Sequence, residues 1–212
     1  MLELAAKSLL AYLLGAAMGS LLIGRLRGVD IRQMGSGNAG GTNALRTQGA
    51  VFALGVVVVD VAKGWLAARW LPHASLPGVP IDAAVDRQWL IGACAMCAVI
   101  GHIYPVWYEF RGGKGGATLV GAALGIDPKL ILPALGVWLV VVLLTGFVGM
   151  GTICAAIALA GAAALLMEPS SSAFTALFAA AAVLIAYAHR DNVTRMLAGT
   201  EDRARRLWLF GR

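Results

Sequence analysis

Three stretches of glycine and polar side chains interrupt an otherwise apolar chain, and they hold the residues that could bind or transfer a charged group. They cover 35–46 (GSGNAGGTNALR), 101–118 (GHIYPVWYEFRGGKGGAT) and 189–201 (HRDNVTRMLAGTE), and we call them polar islands 1, 2 and 3. A helix surrounded by lipid does not tolerate such runs. Each island is therefore a candidate binding or catalytic segment.

Polar island 2 has the composition of an anion cradle. Its glycines reach positive φ at little steric cost, so consecutive amides can curl around an anion while cationic side chains add charge. A helix beginning near Gly115 would add its first amides. The end of a Walker A loop looks similar, but Tyr108 replaces its first glycine and Gly115 follows Lys114, which argues against ATP hydrolysis. A flexible basic loop is the alternative. The candidate residues are His102, Arg111, Gly112, Gly113, Lys114, Gly115, Gly116 and Thr118.

Polar island 1 combines hydroxyl and amide side chains with glycine. Arg46 supplies a planar set of donors that suits a phosphate or carboxylate. A cytoplasmic turn with helix caps is the alternative, because Ser and Asn commonly cap helices. The candidate residues are Ser36, Gly37, Asn38, Thr42, Asn43 and Arg46.

Polar island 3 follows the last apolar stretch. His189 and Asn192 are three residues apart, so they share a helix face, with Arg195 nearby. Glu201 lies in a predicted turn after Gly199. Anchoring of the helix at the membrane interface is the alternative. A single histidine at a helix end is more often structural than a base.

Two ionisable residues lie inside the second apolar stretch. Asp60 and Lys63 are three residues apart, and charged groups in a membrane helix need a partner or a polar cavity. They either pair with each other or help to orient the site. The sequence has no His, Cys, Asp and Glu cluster with metal-ligand spacing, so no catalytic metal and no cofactor are expected.

The composition is that of an integral membrane protein. Of 212 residues, 59% are hydrophobic and 13% charged, and the mean hydropathy is +0.79. We expect an all-α polytopic membrane protein in which 1–212 is a single domain. About seven spans are predicted, although five remain possible, and 115–126 is short for a straight crossing. The first stretch lacks a small-residue cleavage site and is interpreted as a span. The apolar stretches are 4–24, 51–71, 89–108, 115–126, 129–147, 149–167 and 173–189.

Basic residues concentrate in the loops of one side. An odd number of spans places the termini on opposite sides, and the side rich in Lys and Arg is cytoplasmic. The N-terminus is then outside and the C-terminus inside, with all three islands on the cytoplasmic side, where we expect them to form one polar site. The segment 201–212 is expected either to lie on the inner leaflet or to be solvated. Twelve of the 17 basic residues lie on this side: Arg25, Arg27, Arg32, Arg46, Arg111, Lys114, Arg190, Arg195, Arg203, Arg205, Arg206 and Arg212.

The three islands, in this order and spacing, closely resemble the motifs of the bacterial acyl-phosphate:glycerol-3-phosphate acyltransferase family, PlsY. The stretch from Asp60 to Gly64 is also similar, and the resemblance covers essentially the whole chain. Departures are mild: Gly41 stands where alanine is frequent, and Gly116 where a larger apolar residue is common. Neither removes a polar group.

The resemblance implies transfer of a fatty acyl group from acyl phosphate to the sn-1 hydroxyl of glycerol 3-phosphate. The products would be lysophosphatidic acid and phosphate, in the first acylation of bacterial phospholipid synthesis. Expected partners are the two substrates and membrane lipid, with no nucleic acid and no obligatory protein partner. The expected location is the cytoplasmic (inner) membrane, with the active site on the cytoplasmic side.

Residue roles follow as hypotheses. Lys114 and the amides of Gly112, Gly113, Gly115 and Gly116 would hold the acyl phosphate. Ser36, Arg46 and Asn192 would hold glycerol 3-phosphate, with His189 nearby. Direct attack by the substrate hydroxyl is favoured over an acylated Ser36, because acyl phosphate has a good leaving group and needs mainly positioning. The proton acceptor is left open among His189, His102 and a substrate phosphate. The other predicted binding residues are Gly37, Asn38, Thr42, Asn43, Lys63, Arg111 and Glu201.

Three other functions compete with this interpretation. A transporter would explain the short segment 115–126, but the polar residues lie at one membrane face and no inverted repeat is visible. A CDP-alcohol phosphotransferase would need an Asp-rich metal motif, which this sequence lacks. A structural scaffold gives no reason for three basic, glycine-rich islands.

Overall fold

All named elements in the computed structural model are helices, and the structure describes residues 1–168, 172–205 and 207–210. Shorter 3₁₀ turns occur at Ile31–Gln33, Leu71–His73, Val106–Tyr108 and Pro128–Leu130, and α4 continues as a π-helix over Leu66–Trp70. The α-helices are α1 (Leu2–Gly15), α2 (Gly19–Leu26), α3 (Gly41–Gln48), α4 (Ala50–Trp65), α5 (Arg87–Ile103), α6 (Gly116–Ile126), α7 (Ile131–Thr145), α8 (Val148–Leu166), α9 (Ser172–Ala188) and α10 (Arg190–Leu197).

Apolar helices account for all seven predicted stretches. Four are long and apolar enough to cross a membrane: Ala50–His73, Arg87–Tyr108, Pro128–Thr145 and Val148–Leu166. Two bent pairs, α1 with α2 and α9 with α10, raise the number to six if each pair is one span. The prediction of an all-helical, polytopic membrane protein is confirmed. A count of seven additionally requires the 11-residue α6 to cross, which stays a prediction.

The chain forms two compact units, 1–126 and 127–212. Glycines bring the helices of the first unit into close contact. A Cβ at Gly64 of α4 would lie 2.1 Å from the Thr118 carbonyl oxygen of α6, and one at Gly121 would lie 2.0 Å from the Val61 carbonyl oxygen. Gly125 faces Trp65 one turn further along, so α4 and α6 run parallel. Small residues permit this backbone contact between membrane helices.

The first span is broken where α1 gives way to α2. The two helices meet at 46° around Ala17, although the sequence predicted one uninterrupted span over 4–24. Lys63 Nζ donates to the Ala17 carbonyl oxygen at 3.0 Å, and the Gly19 N–H donates to Asp60 Oδ1 at 3.3 Å. The Asp60–Lys63 pair, 2.9 Å apart, therefore satisfies backbone groups that the break releases from helical hydrogen bonding.

An ionic cluster lies at the end of the first unit where α1 and α5 begin. Arg87 binds both carboxylate oxygens of the buried Glu3 at 2.8 Å, and Lys7 donates to Glu3 and to the Pro72 carbonyl oxygen. The N-terminal ammonium contacts Asp82. The chain start and the loop before α5 therefore share one end of this unit, so α1 and α5 run parallel.

The second unit packs α7 on α8 and α8 on α9, and α10 folds back against α8. Residues after α10 dock on the turn that joins α7 to α8. Arg203 lies over the rings of Phe147 and Trp208, at 4.5 and 4.1 Å, and Trp208 Nε1 donates to the Leu144 carbonyl oxygen. Residues 206, 211 and 212 of the predicted tail 201–212 lie outside the described residues, and its placement on the inner leaflet stays a prediction.

Candidate active site

Asn43 organises the loop of polar island 1. Its side chain is buried, and its Nδ2 donates to the carbonyl oxygens of Ile31, Met34 and Asn38 at 2.9 to 3.0 Å. Its Oδ1 accepts from the Ser36 amide at 3.0 Å. A Cβ at Gly35, where φ is +56°, would lie 2.3 Å from this oxygen. Asn43, predicted to bind substrate, thus acts on the loop backbone and sets its shape.

The folded loop leaves other predicted residues at the surface. Ser36, Gly37 and Arg46 are exposed, and Asn38 and Thr42 are half-buried. The Ser20 hydroxyl of α2 donates to the Ala39 carbonyl oxygen at 2.7 Å and so fixes the loop to α2. Ser20 was not among the predicted site residues. Hydroxyl, amide and guanidinium groups are therefore presented on a fixed backbone.

Polar island 2 forms a tight loop above the end of α5. Glu109 and Phe110 both have φ of +58°, an uncommon conformation for residues other than glycine. The Gly112 and Gly113 amides donate back to the carbonyl oxygens of Ile103 and His102. A Cβ at Gly113 would lie 2.2 Å from His102 Nε2. Only glycine permits this approach of backbone to ring.

A buried polar chain supports this loop from within the helices. His102 Nδ1 lies 3.1 Å from Thr118 Oγ1 and 3.6 Å from Asp60 Oδ1, and Asp60 pairs with Lys63. All four side chains are almost fully buried. His102 and Lys63, both predicted to bind substrate, are engaged with protein atoms. They connect α4, α5 and α6 directly beneath residues 112–116, which we call the glycine loop.

Polar islands 1 and 2 meet at one end of the first unit. Arg32 pairs with Asp30 at 2.7 Å and donates to the Tyr108 carbonyl oxygen at 3.3 Å. Tyr108 packs on the cluster of Met18, Leu21 and Ala39. The hydrogen bond from Arg32 lowers the pKa of the Asp30 carboxyl, with a smaller contribution from Arg111, so this contact stays ionic at neutral pH.

Arg32 was counted by the sequence analysis only as a basic loop residue. Its spacing of two from Asp30 was the available signal, because a side chain so placed can close a local turn. Nothing in the sequence pointed to its contact with residue 108.

The resulting surface is suited to an anion. Lys114 is half-buried in the glycine loop, Arg111 is exposed beside it, and α6 begins at Gly116, so its first amides face the same loop. With Arg46 on the neighbouring loop, three cationic side chains lie on the two joined islands. This is the arrangement expected for phosphate groups.

Polar island 3 lies in the second unit and contains a cluster of hydrogen-bonded side chains. Glu201 accepts from Asn192 Nδ2 and from Arg195 Nε, both at 2.6 Å, and so ties the turn after α10 to the helix. His189 caps α10, and its Nδ1 lies 2.8 Å from the Ile185 carbonyl oxygen. Nδ1 must donate in that contact, so a neutral His189 ring carries its basic lone pair on Nε2.

Among the described residues, no three His, Cys, Asp or Glu side chains lie close enough to hold a metal ion. The absence of a metal from the reaction stays a prediction.

Comparison with known proteins agrees with this chemistry. The family model for glycerol-3-phosphate acyltransferase matches residues 5–199. Glycerol-3-phosphate acyltransferases of Symbiobacterium thermophilum and Synechococcus elongatus are 38% and 39% identical to this chain, over 96% of it and 96% and 95% of their own lengths. That of Thermus thermophilus is 40% identical over 92% of both chains.

Solved structures give the same result. The crystal structure of PlsY (YgiH), an integral membrane glycerol 3-phosphate acyltransferase, in its glycerol 3-phosphate form has a TM-score of 0.80 and 32% identity, covering 94% of each chain. The lysophosphatidic acid form of that protein has a TM-score of 0.79 and 31% identity. The chain therefore belongs to the glycerol-3-phosphate acyltransferase family and is an integral membrane acyltransferase of phospholipid biosynthesis.

Proposed function

We propose that this acyltransferase takes its acyl group from an acyl phosphate and delivers it to the sn-1 hydroxyl of glycerol 3-phosphate, at the cytoplasmic face of the inner membrane. The hydroxyl oxygen forms a bond to the acyl carbon, and the bond from that carbon to the phosphate oxygen breaks. The hydroxyl proton leaves to a base or to the departing phosphate. The products are 1-acyl-glycerol 3-phosphate and inorganic phosphate.

The observation that supports this proposal is the glycine loop of polar island 2, fixed over His102 and held beside polar island 1, where Tyr108 packs on the cluster that includes Ala39. Lys114 and the amides of Gly115 and Gly116 bind the phosphate of the donor and stabilise the charge that develops as it leaves. The Gly112 and Gly113 amides, predicted to bind the same phosphate, instead hold the loop through the carbonyl oxygens of Ile103 and His102. An acyl phosphate needs this stabilisation and no protein nucleophile. A thioester such as acyl-CoA would place its phosphate charges further from the reacting carbon.

Polar island 1 binds the acceptor in this proposal. Arg46 and Ser36 contact glycerol 3-phosphate, and Gly37, Asn38 and Thr42 shape the surface around them. Asn43, His102 and Lys63 act by holding the two loops, because their polar atoms are engaged with protein groups. The Ser36 amide donates to Asn43 Oδ1, and among the described residues no histidine contacts the Ser36 hydroxyl, which favours direct attack by the substrate over an acylated serine.

His189, Asn192 and Glu201 remain predicted site residues. Because Asn192 contacts Glu201, two different substitutions of Asn192 can distinguish a role in substrate binding from a role in stability. If Asn192 binds substrate, Asn192→Ala lowers kcat/KM for glycerol 3-phosphate, whereas Asn192→Asp places a second carboxylate against Glu201 and lowers thermal stability as well.

Radiolabelled glycerol 3-phosphate tests the donor. Detergent-purified protein is supplied with palmitoyl phosphate, palmitoyl-CoA or the palmitoyl thioester of acyl carrier protein, and the labelled lipid is measured. We expect product only with palmitoyl phosphate, equally with and without EDTA and without a membrane gradient. Proton NMR of the product identifies the esterified carbon. Turnover with a thioester alone, or an sn-2 ester, would overturn the proposal.

A further inference from the structure

An apolar groove runs along α4 and α6 away from the glycine loop. It is lined by Val57, Val58, Val61, Ala62, Trp65 and Leu124, and holds about 510 Å³, within the range of small-molecule sites. Every lining residue is apolar. The groove lies in the first unit and opens to the side of α4, where Val57, Val58 and Trp65 are exposed.

The groove begins at the level of the polar loops. Gly121 and Gly125 of α6 lie against Val61 and Trp65 of α4, so the start of α6 at Gly116 lies level with the part of α4 around Val57. On the neighbouring loop, a Cβ at Gly41 would lie 2.9 Å from a Val57 methyl carbon. The two polar islands therefore adjoin the near end of the groove.

Trp65 lies at the far end. It is eight residues beyond Val57, which is about 12 Å along the helix axis. Leu124, near the end of α6, lies beside it in the groove lining. Trp65 is 37% exposed, so its side chain is partly packed on protein. A linear apolar group starting at the glycine loop would meet this side chain after filling the groove.

We propose that this groove receives the acyl chain of the donor and that Trp65 is a determinant of chain-length specificity. The inference rests on the proposed function, in which the glycine loop holds the phosphate of that donor. An acyl chain then leaves the loop at the near end of the groove, because the reacting carbon is bonded directly to the phosphate oxygen. Shorter chains end before the indole, and longer ones must displace it or bend into lipid.

Three variants test the assignment. Trp65→Ala removes the far wall. Ala62→Phe fills the groove about one turn before Trp65 from a position that is exposed, so folding is preserved. Trp70→Ala is the matched control, because Trp70 is 60% exposed in the same apolar segment and does not line the groove. Each purified variant is assayed with lauroyl, palmitoyl and stearoyl donors, and kcat/KM is compared among them.

The expected result is a change in the ratio of stearoyl to lauroyl kcat/KM. Relative to the unsubstituted protein, Trp65→Ala raises the ratio and Ala62→Phe lowers it, each by about tenfold, the usual effect of a few methylenes in an apolar pocket. Trp70→Ala leaves it unchanged. If either groove variant changes all donors by one common factor, or if Trp70→Ala reproduces the shift, bulk lipid fills the groove and the proposal is overturned.

The same assay separates this inference from the identity of the donor. If the unsubstituted protein uses thioesters and not acyl phosphates, the donor assignment fails. The chain-length ratios measured with lauroyl, palmitoyl and stearoyl thioesters then decide the groove assignment by the same criterion.

Discussion

Polar side chains of the first unit differ in what their atoms contact. Asn43, Asp60 and His102 are buried, and they bind loop backbone or one another. Ser36 and Arg46 are exposed on the loop that Asn43 shapes. A substitution in the first group should act through the fold, and one in the second should act on substrate. This difference gives two predictions at the scale of single residues.

Substitutions of Ser36 and of Asn43 should have different effects on activity and stability. Ser36→Ala removes an exposed hydroxyl and should lower kcat/KM for glycerol 3-phosphate about 10- to 100-fold, the value of one hydrogen bond to a charged group, with the melting temperature unchanged. Asn43→Ala removes the bonds to Ile31, Met34, Asn38 and the Ser36 amide. It should lower activity and also reduce stability by about 2 to 3 kcal/mol. Thermal unfolding in detergent and initial rates distinguish them; a destabilised Ser36→Ala would contradict the assignment.

Lys114 carries the charge of the glycine loop. If Lys114 holds the donor phosphate as proposed, Lys114→Ala should lower kcat/KM for the acyl donor about 100-fold, because a charge-assisted contact is lost at the group where negative charge develops. Lys129→Ala removes an exposed lysine next to the 3₁₀ turn Pro128–Leu130 and is the control. Steady-state kinetics with varied donor measure both. Equal activity of the two variants would remove Lys114 from the site.

For single residues, the residue types in the sequence predicted the chemistry of the loops, but they did not predict which atoms each side chain contacts. The glycine run 112–116 indicated an anion cradle because glycine and lysine together have few other uses in a membrane protein. The roles of Asn43 and His102 could not be predicted, because a buried amide or imidazole that binds backbone has the same sequence signal as one that binds substrate. Contacts distant in sequence, such as Arg32 with Tyr108, leave no local pattern at all.

The elements that hold the site depend on helix contacts made by glycine. Gly64 and Gly121 set the spacing of α4 and α6, and Gly15 of α1 lies against the Ala98 carbonyl of α5. These three contacts place Asp60, Thr118 and His102 within reach of one another. The glycine loop therefore rests on helix packing as well as on its own backbone.

Gly64→Ala tests this dependence. The added methyl would lie 2.1 Å from the Thr118 carbonyl oxygen, so α4 and α6 must separate, at a cost of about 1 to 3 kcal/mol. Activity should fall with stability, since Thr118 contacts His102. Gly136→Ala in α7 is the control, because its added methyl meets no atom within 4 Å and the change should be neutral or slightly stabilising. The measurement is thermal unfolding in detergent; equal melting temperatures for both variants would exclude a packing role for Gly64.

The break between α1 and α2 shows where prediction by hydropathy ends. Residues 4–24 are apolar throughout, so a sliding average cannot detect an interruption. Its cause lies on another helix, where Asp60 and Lys63 receive the backbone groups of Ala17 and Gly19. The sequence analysis left open whether the two charges pair or orient the site. They do pair, and they also stabilise the bend that turns α2 toward polar island 1.

For the molecule as a whole, the first unit has two chemically different ends. One carries polar islands 1 and 2, with Arg32, Arg111 and Lys114. The other holds an ionic cluster in which Glu3 contacts Lys7 and Arg87, and the N-terminal ammonium contacts Asp82. By the positive-inside rule, the basic end is expected to lie in the cytoplasm. Charge counting on the sequence gives the same expectation, and the orientation stays a prediction.

Orientation is the last prediction, and single cysteines can measure it. In a background without Cys94, Cys97 and Cys154, cysteine replaces one exposed residue at a time. The positions are Gln33 just before polar island 1, Phe110 in polar island 2, Asp191 in polar island 3, and Ala84 or Lys129 in the loops expected on the other side. A membrane-impermeant maleimide added to intact cells should label only positions 84 and 129. The islands should react after permeabilisation, because the excess of Lys and Arg around them favours the cytoplasmic side. Retained acyltransferase activity in each variant confirms a native fold. Labelling of position 33, 110 or 191 from outside would place that island beyond the reach of cytosolic glycerol 3-phosphate and contradict the proposed function.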